Sequence, residues 1–179
     1  KITPSSVLRM MPVDDVVNHS LRYLKVDPDD QSKRCRVVLL PFGEWGECGF
    51  SIGRGVASLD FPDNSVIFIS MVRSESPRIV LPPSNSFIEC PGGSIPSVDN
   101  GVIDHLFHIM GDVCSFSVEE IEESESLLSL PMVVESSRMR RRGIPLCTPM
   151  IIGIPSGHDG WGDLSSSLWE MMDGFGIGA

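Results

Sequence analysis

Ser65-Val66-Ile67-Phe68-Ile69-Ser70-Met71-Val72, then Ser74-Glu75-Ser76-Pro77, then Arg78-Ile79-Val80-Leu81 is the stretch on which the fold turns. β-branched and aromatic residues dominate both apolar runs, and the segment between them is turn chemistry, because proline presets φ while serine bonds its own backbone. Two strands over 65–72 and 78–81 follow. The same alternation of short apolar runs with Gly, Pro, Asn and Ser extends outward, giving further candidate strands at Arg36–Leu40, Gly55–Leu59, Ser86–Glu89 and Pro145–Ile154. Short strands at regular spacing predict a mainly β (α+β) chain: an antiparallel β-sandwich or partly closed barrel. The segment 101–117 fits either a strand or a short buried helix, since Val102, Ile103, Leu106, Phe107, Ile109 and Met110 satisfy both periods.

Helices are expected at the two ends. Over 5–24, Ser5 or Ser6 can cap a stripe of Val7, Met10, Met11, Val17, Leu21 and Leu24, with Pro12 kinking it or opening a second helix. Over 163–172, Asp163 caps a short amphipathic helix that Gly174 follows. With a sheet core over 36–154, the 179 residues read as one domain, 1–179. The Ser/Glu stretch over 117–129 reads as a mobile loop.

Composition narrows the function classes. Apolar residues make up 41% and charged residues 21%, which is the balance of a chain that folds. The longest apolar run is far shorter than the roughly 18 residues needed to cross a bilayer. Five cysteines (Cys35, Cys48, Cys90, Cys114, Cys147) form no Cys-x-x-Cys pair, so neither a disulfide framework nor a zinc site is expected, and a reducing, intracellular setting or a virion is favoured. Asn18-His19-Ser20 matches a glycosylation acceptor, a tripeptide common by composition alone. The net charge of −10 argues against a general phosphate-binding surface.

That charge is polarised. Glu119, Glu120, Glu122, Glu123 and Glu125 form an acidic segment, and Arg138, Arg140, Arg141 and Arg142 a basic one. The basic run suits an acidic protein partner, a local nucleic-acid contact, a dibasic processing site or a solvated loop paired with the glutamates. Contact of one copy's acidic segment with another's basic segment would steer self-association. Gly157-His158-Asp159-Gly160-Trp161-Gly162 places His158 and Trp161 in a loop suited to contact. Gly49, Gly53 and Gly55 match no phosphate-binding spacing, and no cofactor is expected. His105 and His108, three apart, could share a helical face and ligate a metal with Asp104 or Asp112; histidines of a packed core are the plainer reading.

Cys48 within Trp45-Gly46-Glu47-Cys48-Gly49-Phe50, followed by His105, is similar to viral papain-like leader proteases, and the similarity implies a cysteine hydrolase with Cys48 as nucleophile and His105 or His108 as base. Those enzymes seat the cysteine at the start of a helix, whereas Gly49, Gly53 and Gly55 predict a bulged hairpin here. Gly43-Glu44-Trp45, Gly55-Val56-Ala57-Ser58-Leu59-Asp60 and Gly143-Ile144-Pro145-Leu146-Cys147-Thr148 resemble plant-virus movement proteins, although Leu59 and Asp60 are adjacent where that family separates them. The closing helix with Phe175-Gly176-Ile177 resembles the end of rhabdovirus matrix proteins, which are usually basic. These resemblances imply a viral structural (matrix or capsid) or movement-type domain. The sequence thus favours a non-enzymatic assembly or partner-binding protein working through strand edges, exposed loops and its charged segments, with the hydrolase as the alternative.

Overall fold

The computed structural model describes residues 1–8, 13–24, 37–41, 44–59, 65–90, 93, 95–140, 143–155, 165–166 and 169–170. The elements run α1 (Ser5–Leu8), α2 (Val13–Tyr23), α3 (Trp45–Ser58), β1 (Ser65–Ser74), β2 (Arg78–Leu81), α4 (Asn100–Met110), β3 (Cys114–Phe116), α5 (Val118–Glu122), α6 (Leu130–Met139) and β4 (Leu146–Pro155). The 3-10 segments Gly111–Val113 and Glu125–Ser129 join α4 to β3 and precede α6.

Among the described residues the sheet is a single, mixed, four-stranded one of order β1-β4-β2-β3. β1 pairs with β4 in parallel over its whole length, from Ser65 with Leu146 to Ser74 with Pro155. β2 is antiparallel to β4 and parallel to β3. The expected antiparallel sandwich or barrel is therefore wrong, and the chain is α+β with helices packed about one small sheet. Parallel partners cannot be joined by a tight turn, and here the return from β1 to β4 carries α4, α5 and α6. The last strand in sequence is inserted between the first two, so the turn over 75–77 joins strands that are not neighbours.

Three candidate strands fall where the apolar runs place them: 65–74, 78–81 and 146–155. Others differ for identifiable reasons. Gly55–Leu59 lies mostly within α3, whose glycines are contact surface. A Cβ at Gly49 would stand 2.5 Å from the Tyr23 ring, and one at Gly53 would strike the Tyr23 backbone, so α2 and α3 approach at a distance only glycine allows. Residues 37–40 of the expected strand Arg36–Leu40 join no sheet, and Val38 and Leu40 lie against Gly55 instead; Arg36 is outside the described residues. Ser86–Glu89 makes only isolated bridges, Ile88 to Ile2 and Phe87 to Ser97.

The stretch 117–129 is ordered as α5 and a 3-10 segment rather than a loop. Ser117 caps α5 by accepting from the Glu120 N–H at 3.2 Å, and Ser124 accepts from the Ser126 N–H at the same distance. The ambiguous segment 101–117 resolves into α4, whose N-cap Asp99 accepts from the Gly101 and Val102 N–H groups, followed by β3. Within the segment 5–24 the chain forms α1 and α2, with Pro12 outside the described residues; of the expected helix at 163–172, residues 165–166 and 169–170 are helical.

The core joins both layers. α6 is buried from Leu130 through Ser137, packs on α2 and α3, and carries Met132, Val133 and Val134 inward. Trp45, 1% exposed, donates its indole N–H to the Leu128 carbonyl at 3.1 Å and ties α3 to the 3-10 segment, which packs on β1 and β4. β4 is buried from Cys147 to Gly153, as a central strand must be.

Candidate interaction surface

The ladder register fixes which side chains share a sheet face, because directly paired residues point the same way. Met71 lies beside Ile152, Ile152 beside Ile79, and Ile79 beside Cys114. Along that row Ile152 and Ile79 are buried and Cys114 is half-buried, while Met71 is 62% exposed. One row away, Met150 is fully buried and its neighbour Ile69 is 44% exposed.

Helix α4 accounts for the gradient. The Asp99 N–H donates to Thr148 Oγ1 at 3.0 Å, and the Cys114 thiol approaches the Leu106 carbonyl at 3.8 Å, which ties α4 to this face at the start of β4 and at β3. A helix is about 10 Å wide, whereas four strands span about 14 Å. The β1 margin is left over. Its outward row is Ile69, Met71 and Arg73, all exposed, and Arg73 makes no ion pair with a described residue.

β1 is also an edge. Among the described residues its only strand partner is β4, so alternate residues along its ten-residue length turn N–H and C=O groups away from the ladder. The opposite edge, β3, has three residues, and its Phe116 stacks on Phe107 of α4 with ring centroids 5.4 Å apart.

The charged segments are engaged with other parts of the chain. Arg138 pairs with Glu135 at 2.5 Å. Arg140 donates to the carbonyls of Leu59 and Ala57 at the end of α3. Glu120 pairs with Arg78 at 2.8 Å, and Glu122 accepts the Thr3 N–H at 2.7 Å. Glu123 closes α5, its backbone N–H reaching the Glu119 carbonyl, and Glu119 is exposed. Glu120, Glu122 and Arg140 thus meet β2, the N-terminal segment and the end of α3, and Arg138 meets its own helix. Arg141, Arg142, His158 and Trp161 lie outside the described residues.

Cys48 stands in the first turn of α3, not in a hairpin, with its N–H bonded to the Glu44 carbonyl at 2.9 Å. α3 packs on α2, α6 and the 3-10 segment, whereas half-buried His105 and exposed His108 belong to α4, which packs on β3. The structure seats the thiol and these imidazoles on elements with different neighbours. No group of three His, Cys, Asp or Glu side chains among the described residues is arranged to hold a metal. Burial pushes the Cys90 thiol up to about 12, with the Glu135 carboxylate adding to the rise, and burial raises Cys147 further. Such thiols are inert.

The aromatic cluster beneath α3 was not legible as a unit in the sequence: Tyr23 meets Trp45 edge-on at 6.0 Å and Phe50 at 5.0 Å, with His19 at 5.9 Å. The exposed row on β1 left a faint signal. An apolar run that continues through consecutive positions must be apolar on both faces, and a strand at the margin of a sheet buries only one.

No helix among the described residues is long and apolar enough to cross a membrane. Comparison with known protein families and with curated proteins returns no match.

Proposed function

We propose that this chain is a non-enzymatic partner-binding domain that meets a protein partner along the β1 margin of its sheet. The observation that carries the reading is the exposed row of Ile69 and Met71 on a ten-residue strand paired on one side among the described residues. Long apolar edges promote association, and proteins that do not use them blunt them with lysine, proline or bulges. β1 contains no lysine or proline, its one charge, Arg73, lies near its end, and no bulge interrupts its register with β4. The test is a photo-crosslinking residue placed at Met71 in cells that express the chain naturally. Discrete adducts are expected there and not from the same residue at Asp112, exposed near the opposite edge. Equal labelling at both sites, or none at either, overturns the reading.

The cysteine hydrolase is a second reading, and the position of Cys48 in the first turn of α3, where the leader-type proteases seat their nucleophile, favours it. Its test is the pH dependence of alkylation at Cys48. A rate already at its plateau near pH 6 supports a hydrolase; a rate that climbs through the ordinary thiol range removes it.

A further inference from the structure

We infer that β1 receives an extended segment of a partner protein as an added strand, with apolar side chains of that segment over Ile69 and Met71 and a carboxylate opposite Arg73. This deepens the reading just proposed and rests on it. Three observations select an extended acidic-apolar segment over other occupants. First, the outward backbone groups of β1 form a regular row over ten residues with no proline or glycine to break it, and a strand satisfies such a row more completely than a helix can. Second, Ile69, Met71 and Arg73 follow at a spacing of two on one face, the period of a strand's own side chains, so a facing strand presents its residues in register with them. Third, β1 carries a single charge, Arg73, which has no ion partner among the described residues, and no acidic residue lies within the strand. A carboxylate directly opposite satisfies it, while a basic residue there is repelled.

The occupant is thus a segment with apolar residues at alternate positions and an acid two residues beyond them. Addition to a sheet edge takes affinity from main-chain bonds and specificity from alternate side chains. Arg73 supplies the discriminating contact.

The probe is a capped, fluorescent heptapeptide, Asp-Thr-Val-Thr-Val-Thr-Asp, which sets an acid opposite Arg73 in either strand direction. Saturable binding to the full chain is expected, with at least tenfold loss when both acids become lysine and the preference reversed by Arg73→Glu. Met71→Lys should weaken both peptides. Two alternating patterns of backbone N-methylation give the decisive readout. One should abolish binding and the other be tolerated, because only one row of peptide N–H groups faces β1. Equal binding by the two methylated forms, no binding by the parent peptide, or a chain dimer that Met71→Lys dissociates would each overturn the inference. If the peptide fails while crosslinking at Met71 persists, the added strand falls and the surface stands. If crosslinking fails, the surface reading itself falls, whatever the peptide does.

Discussion

Arg140 and Leu59, 81 residues apart in sequence, are joined by a 2.8 Å hydrogen bond from the guanidinium to the backbone carbonyl just past the end of α3. The other arm of the same guanidinium reaches the Ala57 carbonyl. The last carbonyls of a helix lack intrahelical partners and carry partial negative charge, so a planar cation bridging two of them satisfies both needs. A residue that reads in sequence as part of a basic patch is here the C-terminal clasp of another helix.

Arg140→Ala should therefore destabilise the fold by about 1–2 kcal/mol. Arg140→Lys should recover only part of the loss, because one ammonium cannot fork across two carbonyls. Denaturant midpoints check this; a loss fully restored by lysine would show that charge alone acts there.

The glycines of α3 separate by what faces them. Nothing lies within 4 Å of a Cβ at Gly46, whereas a Cβ at Gly53 meets the Tyr23 backbone, which cannot swing aside. Gly46→Ala should stabilise by about 0.5–1 kcal/mol through helix propensity. Gly53→Ala should cost about 1–3 kcal/mol by forcing α2 and α3 apart. Thermal unfolding of the two variants gives the sign of each, and equal signs would contradict the packing described.

The same glycines show where sequence reading stops. Counted by propensity they argue against a helix, and only the tertiary partner at Tyr23 makes them favourable. Helix α6 was hidden for the opposite reason: buried all round from Leu130 to Ser137, it has no polar face to set a 3.6-residue period, and its Pro131, tolerated in a first turn, reads as a breaker. Strands β1, β2 and β4 were legible because each is a dense β-branched run bounded by turn residues. Their pairing was not, since nothing local in Leu146–Pro155 says that it enters between Ser65–Ser74 and Arg78–Leu81. The candidate surface was legible only as a strand edge; that Ile69 and Met71 lie on it follows from where α4 ends.

Cys90 and Cys147 make stability fall in alkali. The ordinary value of 9.0 applies to both thiols once unfolded, while burial holds Cys90 near 12 and Cys147 above its ordinary value in the fold. Above pH 9 the unfolded chain releases thiol protons that the folded chain keeps, so stability is fully present below that pH and declines as pH rises toward 12. The slope approaches about 1.4 kcal/mol per pH unit for each thiol. Replacing both with Ala should flatten the decline, and in the native protein at pH 8 neither thiol should react with a disulfide reagent until the chain unfolds.

Glu135 and Arg138 form an unequal pair. The Glu135 side chain is 7% exposed on α6, while the Arg138 side chain that meets it at 2.5 Å is 40% exposed. Removing the cation strands a charge in a medium that solvates it poorly, whereas removing the carboxylate leaves a cation that water already reaches. Arg138→Ala should therefore cost about 2–4 kcal/mol at pH 7, and Glu135→Leu much less, since a leucine fills similar apolar space without a desolvation penalty. Denaturation midpoints of both variants at pH 7 measure the asymmetry directly; equal losses would mean that the carboxylate is as well solvated as its partner.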